Sequence, residues 1–163
     1  MKKLCIVAIL AIFSFTSTNA QEGFSGGVHL GIPTGDVSEI SGFNYGVDLS
    51  YLFNVADDFD AGFTTGYTNF TGKDISTGFG TIEFDDFGFV PVAATARYSF
   101  ADNIFGAVDL GYAISTQGGT GGFYYQPKGG WKSETIDIFV FYKGISRNGF
   151  TISSVGVGAA FRL

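Results

Sequence analysis

Three groups of residues in this chain have the types and spacing for chemistry. His29 is the one histidine, and Ser25, Asp48 and Ser50 share its polar alternation pattern, which together suggests a Ser–His–acid set for acyl transfer. Such a set works only where the hydroxyl lies within about 3 Å of the imidazole on a surface the substrate can reach. No nucleophile motif surrounds either serine, so a histidine satisfied by interior hydrogen bonds is the simpler reading. The second group, Asp74, Glu83, Asp85 and Asp86, offers oxygen ligands for Ca²⁺ or Mg²⁺, but its spacing does not follow a 12-residue calcium loop and reads as solvated loop charge. The third group is electrostatic: Asp48, Asp60, Asp109 and Asp137 with Arg97, Lys128, Lys143 and Arg162, four acids against four bases. Gln117 to Gly122 lacks phosphate-loop spacing and reads as a flexible loop. No catalytic residue, cofactor site or metal site is assigned.

The elements that must position these residues are strands. The clearest period-2 run sets Phe43, Tyr45, Val47, Leu49, Tyr51 and Phe53 against Asn44, Gly46, Asp48, Ser50 and Leu52. Similar runs are predicted over residues 23–33, 59–67, 87–100, 104–114, 123–131 and 136–142. In the last of these Phe139 and Phe141 fall on the polar face, against the pattern. An eighth run, 153–163, alternates Val155, Val157, Ala159, Phe161 and Leu163 with Ser154, Gly156, Gly158, Ala160 and Arg162. Pro91 cannot donate to a ladder, so a bulge or a fraying strand end is expected near it. Tight turns are predicted after the second, fourth and sixth strands. Longer loops are predicted after the first, third (69–86), fifth (115–122) and seventh (144–149).

The chain opens with Lys2 and Lys3, an apolar run from Leu4 to Phe15, and Thr18-Asn19-Ala20 before Gln21. This is the pattern of a cleaved secretory signal over residues 1–20, too short for a spanning helix of about 20 apolar residues. Cys5 is the only cysteine, so residues 21–163 hold no disulfide, thiol nucleophile or thiolate metal site. Losing Lys2 and Lys3 takes the formal net charge from −6 to −8, which argues against a nucleic-acid partner. Export combined with eight two-faced strands predicts an all-β fold, an eight-stranded antiparallel up-and-down transmembrane β-barrel. About 18 residues per strand and connection fits eight crossings and not sixteen.

Alternation alone leaves open which face looks outward. The polar face is mainly Gly, Ser, Thr and Ala, whereas a soluble exterior is about 25–35% charged, so the apolar face is assigned to lipid and the small face to a narrow lumen. The eight balanced charges then read as a hydrogen-bonded lumen plug rather than an ion pathway. Phe53, Phe59, Phe100, Phe105, Trp131 and Phe161 are predicted to form an aromatic girdle at the tight-turn end, and Tyr45, Tyr67, Tyr112 and Tyr142 one at the other.

The signal, the eight runs, Gly-Phe-Tyr-Tyr at 122–125 and the terminal Val-Gly-Val-Gly-Ala-Ala-Phe-Arg-Leu resemble the small outer-membrane β-barrel domain family (OmpX/OmpA-barrel-like). The resemblance implies a monomer in the outer membrane of a Gram-negative bacterium, in contact with lipid and lipopolysaccharide. It also implies insertion by the barrel-assembly machinery, which recognises a terminal Phe or Trp; here Leu163 is last and Phe161 stands two residues earlier. Some small barrels modify lipid A with a histidine, a serine and an acid, which keeps His29 under consideration. The leading expectation is a non-enzymatic envelope-structural or surface-interaction protein whose long loops meet an extracellular partner. A lipid A-modifying enzyme, a narrow conduit for small or apolar molecules and a water-soluble lipocalin-like carrier are the alternatives.

Overall fold

The computed structural model describes residues 23–77 and 80–163, and among them the side chains outside 75–83. The expected signal segment, residues 1–20, lies outside the described residues. Among the described residues there are ten strands: β1 (Phe24–Thr34), β2 (Ser41–Ala56), β3 (Phe59–Gly72), β4 (Asp74–Thr77), β5 (Gly80–Glu83), β6 (Phe87–Ala101), β7 (Ile104–Ser115), β8 (Gly122–Lys132), β9 (Ile136–Arg147) and β10 (Phe150–Arg162). Eight of them close a barrel in the order β1-β10-β9-β8-β7-β6-β3-β2, every pair antiparallel. The closing seam runs from Ser25 opposite Arg162 to Thr34 opposite Ser153. Closure leaves none of these eight strands with an unpaired edge, and neighbour-to-neighbour connections make it an up-and-down barrel.

The period-2 pattern decides the faces. Outward positions carry Val28, Leu30, Ile32, Val47, Phe63, Val92, Leu110, Ile138, Val140 and Val157, all well exposed on the barrel exterior. Most inward positions carry small or polar residues, as a narrow eight-stranded bore favours, and two buried clusters built on Phe70, Phe89, Tyr124 and Ile145 and on Phe105, Phe139 and Phe141 fill the rest. Phe139 and Phe141 do point inward and are buried. The space for them comes from glycines across the bore wall: a Cβ at Gly158 would lie 2.6 Å from Phe139 Cε2, and one at Gly156 would lie 2.7 Å from Phe141 Cζ. Each ring therefore lies where β10 has no side chain, so these two rings pack against two glycines.

Four expectations need correction. The seventh connection is not a loop over 144–149, because β9 continues to Arg147 and turns through Asn148 (φ 48°) and Gly149 (φ 84°) alone. Two successive positive φ values define a type I′ turn, whose twist matches the hairpin it joins, and Asn-Gly is its preferred sequence. The expected loop 69–86 is also shorter: β3 runs to Gly72, and β4 and β5 form a separate hairpin in which Asp74 pairs with Glu83. Pro91 produces a gap instead of a bulge. The β3–β6 ladder skips from Thr65–Val92 to Thr68–Phe89 without changing register, and Thr65 Oγ1 donates to the Pro91 carbonyl at 2.9 Å. Finally, Phe105 belongs to the lumen and not to a girdle, since it is buried beneath the Arg97 guanidinium at 3.9 Å from the ring centroid.

Candidate functional site

The strands bring the inward charges into two layers across the bore. In the layer nearer the tight turns, β6 supplies Arg97 and β9 supplies Asp137, joined by Arg97 Nη1 to Asp137 Oδ2 at 2.6 Å. Arg162 of β10 reaches the other oxygen of Asp137 at 3.3 Å. Next to it, β7 and β8 pair Asp109 with Lys128 at 2.7 Å, and Thr95 Oγ1 donates to the remaining Asp109 oxygen at 2.8 Å. Asp109 is wholly buried, so these two donors replace the water it gave up on folding. Asp60 stands apart from this pairing, at the rim, where Asn54 Nδ2 donates to it at 3.1 Å.

The second layer surrounds His29 on β1. Its Nδ1 lies 2.6 Å from Asp48 Oδ2, and its Nε2 lies 2.7 Å from Lys143 Nζ and 3.2 Å from Thr68 Oγ1. An ammonium only donates and a carboxylate only accepts, so this network places the imidazole proton on Nδ1 and leaves Nε2 as the acceptor from Lys143. Thr68 also accepts from Asn44 Nδ2 at 2.8 Å and from Lys143 at 3.1 Å. The Phe141 ring meets the imidazole edge-on, with centroids 5.4 Å apart.

This arrangement does not assemble the acyl-transfer set. Ser25 and Ser50 hydrogen-bond to each other at 2.8 Å, and the hydroxyl near His29 is that of Thr68, buried with it. The Nε2 lone pair that would take a nucleophile's proton is already held by Lys143 and Thr68. Sequence reasoning missed Thr68, Asn44 and Gln126 as members of the lumen network. Their signal was available in the same alternation that placed Asp48 and Lys143 inward.

Toward the loop end the bore is filled by apolar groups. Phe70, Phe89, Ala93, Ala113, Tyr124 and Ile145 form one buried cluster, and Tyr124 Oη donates to Gln126 Oε1 at 2.6 Å. Above it, Val37 of a short 3-10 helix (Gly35–Glu39) is fully buried. Of the loop acids, Asp86 has a structural engagement: its carboxylate accepts from Gly72 N at 2.9 Å and Asn69 Nδ2 at 3.3 Å, and its carbonyl accepts from Gln117. Asp74 and Asp85 are exposed, and the Glu83 side chain lies outside those described. Among the described residues, no group of three or more His, Cys, Asp and Glu is placed to hold a metal ion.

The exterior inverts the polarity of the interior. From Phe24 around to Phe161, the outward strand positions carry no Asp, Glu, Lys or Arg among the described residues. Phe24 with Tyr51, and Tyr98 with Phe100, pair at the tight-turn end with centroids 5.0 and 5.1 Å apart. Tyr45, Tyr67, Tyr112 and Tyr142 are all exposed in the opposite half.

No protein-family model matches the chain, and no curated protein matches it. Solved structures do. The Yersinia pestis outer-membrane protein Ail in a phospholipid bilayer nanodisc is 16% identical with a TM-score of 0.55, over 87% of this chain and 100% of that one. The fold is that of the small outer-membrane β-barrels. A de novo designed transmembrane β-barrel superposes similarly, with a TM-score of 0.54 and 14% identity over 90% of this chain and all of that one. Ail in complex with the heparin analogue sucrose octasulfate gives a TM-score of 0.50 and 13% identity, over 86% of this chain and 99% of that one.

Proposed function

We propose that the protein is a monomeric integral outer-membrane barrel of a Gram-negative bacterium, exported with loss of residues 1–20, whose function is non-enzymatic. Its role is to contribute to the envelope and to present its loop face to an extracellular partner. The observation that carries this reading is the inverted polarity: charges and buried hydrogen bonds inside, an uncharged aliphatic and aromatic belt outside. A water-soluble carrier needs the opposite arrangement, because monomers in water rarely expose apolar patches beyond a few hundred Å². The filled bore supports a structural reading over a conduit, and the occupied His29 Nε2 supports it over acyl transfer.

The loop face constrains the partner. Asp36, Glu39, Asp74, Glu83, Asp85 and Asp86 lie on the loop-end connections against Lys73 and Arg147, six acids to two bases. Ail has been solved with a heparin analogue, but a polyanion would meet repulsion here. A cationic partner, or lipopolysaccharide bridged by divalent cations, fits this charge. Membrane fractionation with electrophoresis of heated and unheated samples tests the barrel and its location together. The expected result is detergent-dependent extraction and a mobility that changes on boiling; extraction without detergent overturns the proposal. Lipid A mass spectra that are the same in the wild type and a His29→Ala strain are expected, and a difference would restore the enzymatic alternative.

A further inference from the structure

The tight-turn mouth of the barrel contains a cavity of about 510 Å³ lined by Ser25, Asn54, Asp60, Arg97, Lys132, Asp137 and Arg162 among others. A smaller space of about 30 Å³ adjoins it and shares Ser25, Arg97 and Asp137. Three cations and two carboxylates line the larger cavity, and the carboxylates are unevenly used. Asp137 is divided between Arg97 and Arg162, Asp60 is held by Asn54, and Lys132 donates to Ser99 Oγ at 2.6 Å with no ion-pair partner among the described residues.

Arg97 carries the decisive feature. It is 8% exposed, and while Nη1 is taken by Asp137, its Nε and Nη2 are buried with no hydrogen-bond partner. Those two atoms form the side-on edge of a guanidinium, whose parallel N–H bonds match the two oxygens of a carboxylate or phosphate. Leaving both unsatisfied costs more than leaving one neutral amide, since the group is charged. Phe105 stacks on the guanidinium face and holds its plane fixed, so the edge is preorganised.

We propose that this mouth is an oxyanion-binding site, in which Lys132 and Arg162 attract a carboxylate or phosphate group at the rim and the Nε–Nη2 edge of Arg97, covered while the site is empty, grips it once the side chains over that edge move aside. The site is a dead end, because the ion-paired and apolar layers fill the bore beyond it. A ligand here is captured without passing through. The site follows from the barrel interior alone; which compartment it faces rests on the membrane reading above.

The test uses the full barrel folded in detergent micelles, with nitrogen-15 NMR following the Arg97 Nε–H during titration with inorganic phosphate and, separately, acetate, at ionic strength held constant with potassium chloride. A saturable shift of that resonance is expected with either oxyanion and not with chloride alone, and preference between the two separates phosphoryl from carboxyl ligands. Lys132→Gln, which leaves the buried pairs intact, is expected to weaken binding about two- to fivefold, the range of a partly exposed charge. Arg97→Gln is expected to abolish it, with Arg162 still paired to Asp137 to hold the fold. No saturable shift with either anion, or a titration that Lys132→Gln leaves unchanged, overturns the proposal. So does an Nε–H cross-peak to a long-lived water, which would show the edge already satisfied.

Discussion

Lys128 and Asp109 show how the lumen charges depend on one another. With Asp109 wholly buried and bonded to Lys128 at 2.7 Å and Thr95 at 2.8 Å, removing the ammonium strands a carboxylate in a low-dielectric bore. Lys128→Met is expected to lower stability by about 3–5 kcal/mol, measured by urea unfolding of the barrel in lipid vesicles. Adding Asp109→Asn to the same chain should return most of that loss, because an isosteric uncharged pair no longer needs a counter-ion. If the double variant is no more stable than the single one, the pair is not the source of the effect. His29 follows the same logic with a different partner set, Asp48 on one nitrogen and Lys143 on the other. Alternation made its inward direction legible; its neighbours were not, because they come from β2, β3 and β9.

At the level of elements, the hairpins are set by two local features. The β9–β10 turn needs positive φ at both central residues, and Gly149 at +84° meets no neighbour that would otherwise restrict it. Gly149→Ala is therefore expected to cost about 1–2 kcal/mol through backbone strain alone, read as a lower urea midpoint with an unchanged slope. Across the same two strands, Gly158 gives room to the Phe139 ring, and Gly158→Ala is expected to cost about 1–3 kcal/mol by overpacking. Phe139→Leu in the same chain should relieve part of it. Equal losses with and without that second change would mean that the ring and the glycine are not in contact. The Asn-Gly signal was present in the sequence and was hidden by Gly144, which makes 144–149 look like a loop. Gly144, by contrast, lies under the outward Tyr125 ring as a strand residue.

For the molecule as a whole, the decisive property is which side of the wall meets lipid. Val157 lies mid-strand, pairs with Leu30 and Val140, and is 56% exposed on the outer face. Val157→Arg is expected to destabilise the barrel in vesicles by about 2–4 kcal/mol, and the same change at Phe161, near the rim, by about 0–1. Equal and negligible effects at both positions would place the exterior in water. The eight barrel strands, their inward and outward faces and the tight turns were legible in the sequence itself, because a period of two is a local property that each strand carries alone, whereas the β4–β5 hairpin was not. Nor was partnership. That Asp137 serves two arginines, that His29 is held by Lys143, that Phe105 supports Arg97 and that Phe139 lies over Gly158 all depend on contacts between residues brought together by closure and stagger. Only the closed barrel brings these groups into one bore, and so only the tertiary structure left one edge of Arg97 free.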